Sequence, residues 1–369
     1  MDIGLNEEQE LLKRSAREFL EKECSEEHVR AMEADAKGYS PQTWKKMAEL
    51  GWHGLMIPEE FGGAGLSFYD LCVLIEEAGR ALLPGPFIPN QVVVGLLLEA
   101  GSAAQRSKYL PAIAAGSQIH TYAVTEAGGR WGADDITLAA RRSGEGVLLS
   151  GSKLFVPDAH IADWIWVLAR DGKKLSACAV PRNAKGVSVA GLTTLAGDKL
   201  TEVVLKDVRV AGEDIIEVRN FEAFSNKATL LECAHLVGLA QKDFEITVEY
   251  AKTRVAFGRP IGAFQVLQHK AVNQYVEVEL TRSLLYQAVQ TIDAGNGAPA
   301  FFSAVKARAS QSALEVTKGA IQLHGAIGFT DEHDIGLYFK RAMALASLWG
   351  TAAQHRARFA ALSDREGDR

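Results

Sequence analysis

Hydrophobic and polar positions divide the chain into three textures. From Asn6 to about Ala115, apolar residues recur at the spacing of a helix face. The segments are LNEEQELLKRSAREFLEK, SPQTWKKMAELG, SFYDLCVLIEEAGRALL and AAQRSKYLPAIAAG. Asn6 and Ser40 stand where N-caps are needed, each with Glu or Gln in the following turn. IPEEFGGAG, between the second and third segments, reads as a Pro/Gly loop. From Gln118 to about Asp214 the runs become β-branched and aromatic, as in HTYAVTEA, WIWVLARDGKKLSACAVP and TEVVLKDVRV. Ser-Gly-Glu-Gly and Arg-Asp-Gly-Lys mark hairpin turns, so this stretch predicts a small antiparallel β-domain. From about Phe221 to Ala361 helical spacing returns in four long segments with short connections. That pattern predicts an antiparallel four-helix bundle, whose last helix carries Ser347 to Arg356 in its interior. The expected class is α+β, mainly α, with an all-α domain over 1–117, a β-domain over 118–219 and a bundle over 220–369.

Composition narrows the function without naming it. Of 369 residues, 47% are hydrophobic and 23% charged, and the net charge is −6. No basic stripe appears, so nucleic acid is not an expected partner. Cys24, Cys72, Cys178 and Cys233 lie far apart with no CxxC spacing. They read as free core thiols of a reducing compartment, not as a zinc site or a disulfide framework. The first residues are acidic and amphipathic, unlike a signal peptide, and no run reaches the roughly 18 apolar residues of a membrane span. The expected location is the cytoplasm.

Four phrases carry a resemblance. They are LGWHGLMIPEEFGGAGLSFYDLCVLIEEAGRA in the first helical domain, YAVTEA opening the β-domain, TRVAFGRPIGAFQVLQHKAV early in the bundle, and QLHGAIGFTDEHDI before the last helix. In that order, on those element types, they make the chain resemble the acyl-CoA dehydrogenase family of flavoproteins over nearly its whole length. The resemblance implies FAD bound between two subunits and α,β-desaturation of an acyl-CoA thioester. In that reaction a carboxylate takes the α-proton and the flavin takes the β-hydride. A thioester α-proton is weakly acidic, so a positioned base and a polarised carbonyl are both needed.

Several expected parts are missing. The family's base is a Glu directly before Gly-Thr on the last helix; here that position is Trp349, before Gly350-Thr351. Relatives that place the base on the first bundle helix match this chain at Ala228. Neither residue accepts a proton. Glu232, one turn beyond Ala228, shares its face; a glutamate in such a run also serves as a salt-bridged or edge residue. The family's Thr-Glu-Pro and Gly-Ser-Asp cradle becomes Thr125-Glu126-Ala127-Gly128-Gly129-Arg130-Trp131-Gly132. Its Trp-Ile-Thr phrase, whose Thr donates toward the flavin, becomes Phe155-Val156-Pro157. Proline supplies neither hydroxyl nor N–H, although it also simply ends a strand.

Other parts are kept. The resemblance assigns to the neighbouring subunit's FAD an Arg, a Phe, two Gln and a glycine turn. Here these are Arg254, Phe257, Gln265, Gln322 and Gly325, with Gly328 beside it and Ala326 replacing a glycine. Read without the family, Arg254 is a charge at a helix C-terminus and Gly325/Gly328 a turn. The losses fall on what a subunit uses for its own flavin, and the retained residues are those it lends. The leading expectation is thus the non-catalytic subunit of a heteromeric α2β2 enzyme, with no catalytic residue of its own. It would complete the FAD site of a catalytic partner that holds the acyl-CoA, with electron-transfer flavoprotein as acceptor. The class includes enzymes that act on bulky or unusual acyl-CoAs, such as steroid side chains or dicarboxylyl thioesters. Two alternatives stand beside it. One is a self-sufficient flavoenzyme with a relocated base, Glu232, or base-independent chemistry. The other is a flavin-free scaffold of the same fold.

Overall fold

The computed structural model of the chain describes residues 4–295 and 297–367. It opens with helices α1 (Glu7–Glu23), α2 (Glu26–Ala34), α3 (Pro41–Glu49), α4 (Phe68–Arg80), α5 (Phe87–Ala100) and α6 (Ala103–Ala114). Strands follow: β1 (His120–Ala123), β2 (Ala140–Ser143), β3 (Gly146–Pro157), β4 (Trp164–Asp171), β5 (Lys174–Pro181), β6 (Val187–Gly191), β7 (Leu200–Val210) and β8 (Ile215–Glu217). Then come α7 (Phe221–Thr253), a small hairpin of β9 (Val255–Ala256) and β10 (Arg259–Pro260), α8 (Gln265–Asp293), α9 (Pro299–His324), α10 (Ile335–Leu345) and α11 (Ala352–Gly367). The expected α+β order of helices, strands and helices is present. The described residues form two compact units, 4–30 with 68–83 and 229–367, and 31–67 with 84–228.

The first unit is helical. Its α4 and α7 cross at glycines. A Cβ on Gly79 would lie 2.2 Å from the His235 carbonyl oxygen, and one on Gly238 would lie 1.8 Å from that of Glu76. Only hydrogen fits at these points, so the two backbones touch. Buried carboxylates of α4 are paired around the crossing. Glu76 accepts from Arg282 Nε at 3.0 Å and Tyr286 Oη at 2.7 Å, and Glu77 accepts from Arg17 at 2.8 and 2.9 Å. Arg80 binds Glu245 with both terminal nitrogens, at 2.9 and 2.7 Å. Burial opposes ionisation of Glu76, but Arg282 and Lys13 outweigh it and hold the carboxyl below its usual range. At the end of α8, Asp293 accepts the Phe68 and Tyr69 N–H groups at 3.3 and 3.0 Å and so caps α4.

The expected fourth bundle helix is not continuous. It breaks into α10 and α11, and Trp349 sits in the link rather than inside a helix. Trp349 has φ 55° and Gly350 φ 100°, left-handed values that a right-handed helix cannot contain. Thr351 then restarts the helix: the Gln354 N–H donates to Thr351 Oγ1 at 3.3 Å, and the Thr351 N–H donates to Gln354 Oε1 at 2.8 Å. This is a reciprocal cap.

The second unit holds two four-stranded sheets, ordered β1-β4-β5-β8 and β2-β3-β7-β6. The antiparallel expectation needs one correction: β1 pairs with β4 in parallel, from His120↔Trp164 to Ala123↔Val167. The long excursion through β2 and β3 brings the chain back to the same end of β1, which a parallel neighbour requires. Both hairpin turns form as read. Ser143 pairs with Gly146 around Gly144 (φ 63°), and Asp171 pairs with Lys174 around Gly172 (φ 60°). Helices α2 and α5 were not expected. The second is buried on nearly every side, including Asn90 and Gln91, so it shows no polar face to mark its period. Asn90 Oδ1 accepts the His120 N–H at 2.9 Å, joining α5 to β1. Among the described residues, no helix is long and apolar enough to cross a membrane, and no group of His, Cys, Asp and Glu could hold a metal ion.

Candidate functional site

The retained residues lie together at one end of the bundle, in the first unit. Arg254 follows the last residue of α7, its N–H bonded to the Tyr250 carbonyl at 2.8 Å. Its side chain is exposed and has no ion-pair partner among the described residues. Next comes the β9–β10 hairpin, in which Ala256 pairs with Arg259 and Val255 with Pro260. Its tip is Phe257-Gly258, with φ 53° and 77°, as a two-residue turn with two left-handed positions demands. Phe257 therefore does not lie on the helix but at the hairpin tip, 94% exposed. A bulky residue held at positive φ costs about 1–2 kcal/mol in backbone energy, and this one gains no burial in return. Its ring meets Phe264 edge-on at 6.2 Å, and the Arg259 guanidinium lies 4.3 Å from the centroid of Phe264. The hairpin is thus anchored on the residue just before α8.

Gln265 is the first residue of α8 and is exposed; Gln322 is exposed in the last turn of α9. The short connection between Asp293 and Pro299 makes α8 and α9 antiparallel neighbours, and Gln274 Nε2 donates to the Val316 carbonyl at 3.1 Å. From that contact, Gln265 lies nine residues back along α8 and Gln322 six residues on along α9. The two amides therefore sit toward the same end, about 13 and 9 Å along their axes. Gly325 terminates α9 at φ 66° and ψ −138°, a conformation open only to glycine, with nothing within 4 Å of where a Cβ would stand. A Cβ on Gly328 would lie 2.9 Å from the Ile321 carbonyl oxygen. Beneath this turn, His324 stacks on Tyr250 with ring centroids 4.2 Å apart, and His333 meets His324 at 4.5 Å. Tyr250, His324 and His333 were not picked out from the sequence. The only available signal was their closeness to Arg254 and Gly325.

The positions where a base is expected are closed. Trp349 is buried, and its carbonyl accepts from His355 Nε2 at 2.7 Å. Burial pushes His355 down to about 4, so the imidazole is neutral and its proton lies on Nε2. Lys306 is fully buried and donates to the Leu345 carbonyl, the last residue of α10, at 3.0 Å. Burial lowers its amine; Cys233 and Glu232 oppose the shift. Ala228 is buried. Glu232 is buried too, with Oε2 3.9 Å from His235 Nδ1. Burial pushes His235 down to about 3, so that contact involves a neutral ring.

In the second unit, the segment after Thr125 is tied down by Glu126. Its carboxylate accepts the Thr137 N–H at 3.0 Å, the Leu138 N–H at 2.9 Å, the Thr137 hydroxyl, and Lys153 Nζ at 2.8 Å. Burial pulls Lys153 down to about 8, against the hydrogen bond it donates to Glu126. Arg130 lies 3.7 Å from Asp135, within its own loop. Phe155 has φ 55° at an irregularity of β3, and Pro157 is the last residue of that strand. Pro157 accepts the Thr121 hydroxyl at 2.6 Å and has no N–H to offer. A cavity of about 680 Å³ in this unit is lined by the end of α5, the start of α6 and residues 212–220, and by none of the residues just named.

Comparison with known proteins agrees with this architecture. Residues 6–117, 121–208 and 223–362 match the profiles described as acyl-CoA dehydrogenase N-terminal, middle and C-terminal domains. The chain is 33% identical over 353 residues to acyl-CoA dehydrogenase IpdE2 of Mycolicibacterium smegmatis, covering 94% of this chain and 96% of the relative. It is 27% identical over 364 residues to the caffeyl-CoA reductase-Etf complex subunit CarC of Acetobacterium woodii, covering 94% and 96%. Among solved structures, a variant of the Tcur3481-Tcur3483 steroid ACAD superposes with a TM-score of 0.91 at 29% identity, over 98% of this chain and 99% of that one.

Proposed function

The chain belongs to the acyl-CoA dehydrogenase family of flavoproteins, and we propose that it is the non-catalytic subunit of a heteromeric member. In this reading it completes the FAD site of a catalytic partner and holds no base of its own. The observation that carries the reading is Trp349. It stands where the family resemblance expects the carboxylate, its ring is buried, and the link that bears it is pinned through His355 and Lys306. An indole has no lone pair to accept an α-proton at neutral pH.

The lent side fits a dinucleotide. Arg254 is an exposed, unpaired cation suited to a pyrophosphate, and Gln265 and Gln322 are exposed amides at the same end of the bundle. Gly325 leaves room for close backbone approach, and Phe257 offers a flat apolar face. When bound, FAD supplies the hydride acceptor of the desaturation. This chain's residues would hold and orient the cofactor, while the partner would hold the acyl-CoA and supply the base. The bundle also exposes Val266, Val272, Tyr275, Val276 and Leu280 on α8, a run of apolar side chains that a second subunit of this fold would cover. The two component names of the Tcur3481-Tcur3483 steroid ACAD support a two-component assembly, and the Etf complex of the caffeyl-CoA reductase relative supports electron-transfer flavoprotein as the redox partner.

Co-expression with a family member that keeps the Glu-Gly-Thr base tests the proposal. One FAD per pair of unlike chains, and none retained by this chain alone, is the expected result. A homo-oligomer with one flavin per chain and dehydrogenase activity of its own overturns it. The second reading, Glu232 as base, predicts instead that Glu232→Gln abolishes turnover of such a homo-oligomer.

A further inference from the structure

We infer that Tyr250 and His324 are positioning residues: their stack sets the spacing between Arg254 at the end of α7 and the Gln322–Gly325 turn at the end of α9. The inference rests on the reading that Arg254 and Gln322 are lent to a flavin nucleotide. Both lie where helices end and backbone order is ordinarily lost. Neither side chain is buried, so neither is oriented by packing of its own.

What holds them lies one step inward. The Arg254 N–H is bonded to the Tyr250 carbonyl at 2.8 Å, so Arg254 rides on the turn that begins at Tyr250. The Tyr250 ring lies 4.2 Å from His324, at 24° between planes, and its hydroxyl donates to the His324 carbonyl at 3.4 Å. His324 immediately precedes Gly325. Its own ring is fixed on both sides. Nδ1 lies 2.8 Å from the Ala320 carbonyl, and His333 packs across it at 4.5 Å while standing 6.0 Å from Tyr250. Burial lowers the pKa of His324 and so disfavours a cation on that ring beside Arg254. Three rings from α7, α9 and the segment before α10 therefore form one clasp. A displacement of Tyr250 moves Arg254 and the Gly325 turn together.

The test uses the flavin-bound assembly as purified, stripped of FAD and titrated back, with binding followed by quenching of flavin fluorescence. Arg254→Ala serves as the reference, and Tyr250→Leu removes the stack. Tyr250→Phe keeps it, giving up only the long hydroxyl contact. The expected result is a Kd for FAD raised about tenfold or more by both Arg254→Ala and Tyr250→Leu, with Tyr250→Phe within about threefold of the parent. A purely structural role would lower the melting temperature and leave the Kd unchanged at temperatures where the variant is folded. If Tyr250→Leu does not fold, His324→Ala is judged by the same Kd. Weakening by Arg254→Ala but not by the clasp variants overturns the inference alone. No weakening by Arg254→Ala overturns the lending reading, and the clasp with it.

Discussion

His355 Nε2 lies 2.7 Å from the carbonyl oxygen of Trp349, so a buried imidazole holds a tryptophan in the left-handed region, at φ 55°. The side chain and the backbone of Trp349 therefore pull stability in opposite directions. Trp349→Ala is expected to cost about 3–5 kcal/mol, because it empties a buried ring site. Trp349→Gly removes slightly more packing but relieves the left-handed backbone, and is expected to lose about 1 kcal/mol less than the alanine variant. Urea unfolding followed by far-UV circular dichroism separates the two. A glycine variant less stable than the alanine one would contradict the strain.

Gly238 and Gly336 make a second pair. Gly238 faces the Glu76 carbonyl oxygen 1.8 Å from where a Cβ would stand, whereas Gly336 on α10 has nothing within 4 Å. Gly238→Ala is expected to destabilise by about 3 kcal/mol, because a helix backbone must move. Gly336→Ala is expected to stabilise by about 0.5–1 kcal/mol through helix propensity. Thermal melts of the two variants should shift in opposite directions.

Glu76 is 1% exposed and joins α4 to α8 through Arg282 and Tyr286. Glu76→Ala leaves Arg282 with its charge and without that partner, and is expected to cost about 3–5 kcal/mol. Glu76→Gln keeps an acceptor for Tyr286 and should cost less. Equal losses in denaturant titrations would mean that the charge carries the whole effect and the retained acceptor contributes nothing.

Acid should unfold the chain from well above the carboxylate range. Burial holds His53 and His355 at about 4 and His120 and His235 at about 3, against an ordinary value of 6.5. Because these folded values are depressed, the unfolded chain binds more protons between about 6.5 and 4, and stability falls as pH falls through that window. Glu76 and Glu126, held below the usual carboxylate range, add a further loss at lower pH. The melting temperature should decline steadily below pH 6.5; a flat profile down to pH 4.5 would be the wrong outcome.

Phe257 is 94% exposed on a hairpin tip, so Phe257→Ser should leave the unfolding free energy of the isolated chain within about 0.5 kcal/mol. If the tip reaches into a partner's site, the same change should weaken assembly by at least about tenfold, as an aromatic anchor does. Sedimentation of the mixed chains reads the second quantity. Unchanged assembly would remove Phe257 from the interface.

Much of this was legible from local pattern. The Asn6 cap was readable because capping chemistry is local: Asn6 and Gln9 bond reciprocally, at 2.8 and 3.1 Å. The two glycine hairpin turns were readable for the same reason. The break before α11 was also legible in principle. Gly350 followed by Thr351-Ala352-Ala353-Gln354 is a stop and a capping box, but it was obscured by the apolar run on either side. Helix α5 could not be read from period, since a helix buried all round has no polar face to contrast with its apolar one.

Residue types are properties of the chain, and so Trp349 and Ala228, neither of which accepts a proton, are already written in it. Where those residues meet is not. Tyr250 and His324 are separated by 73 intervening residues and yet stack at 4.2 Å, while Gly79 and Gly238 matter only because α4 and α7 cross there. Such relations depend on which helix faces which, and that is decided by burial summed over the whole core. A local window carries the period of an element and the identity of its caps, but not the neighbour against which it will pack.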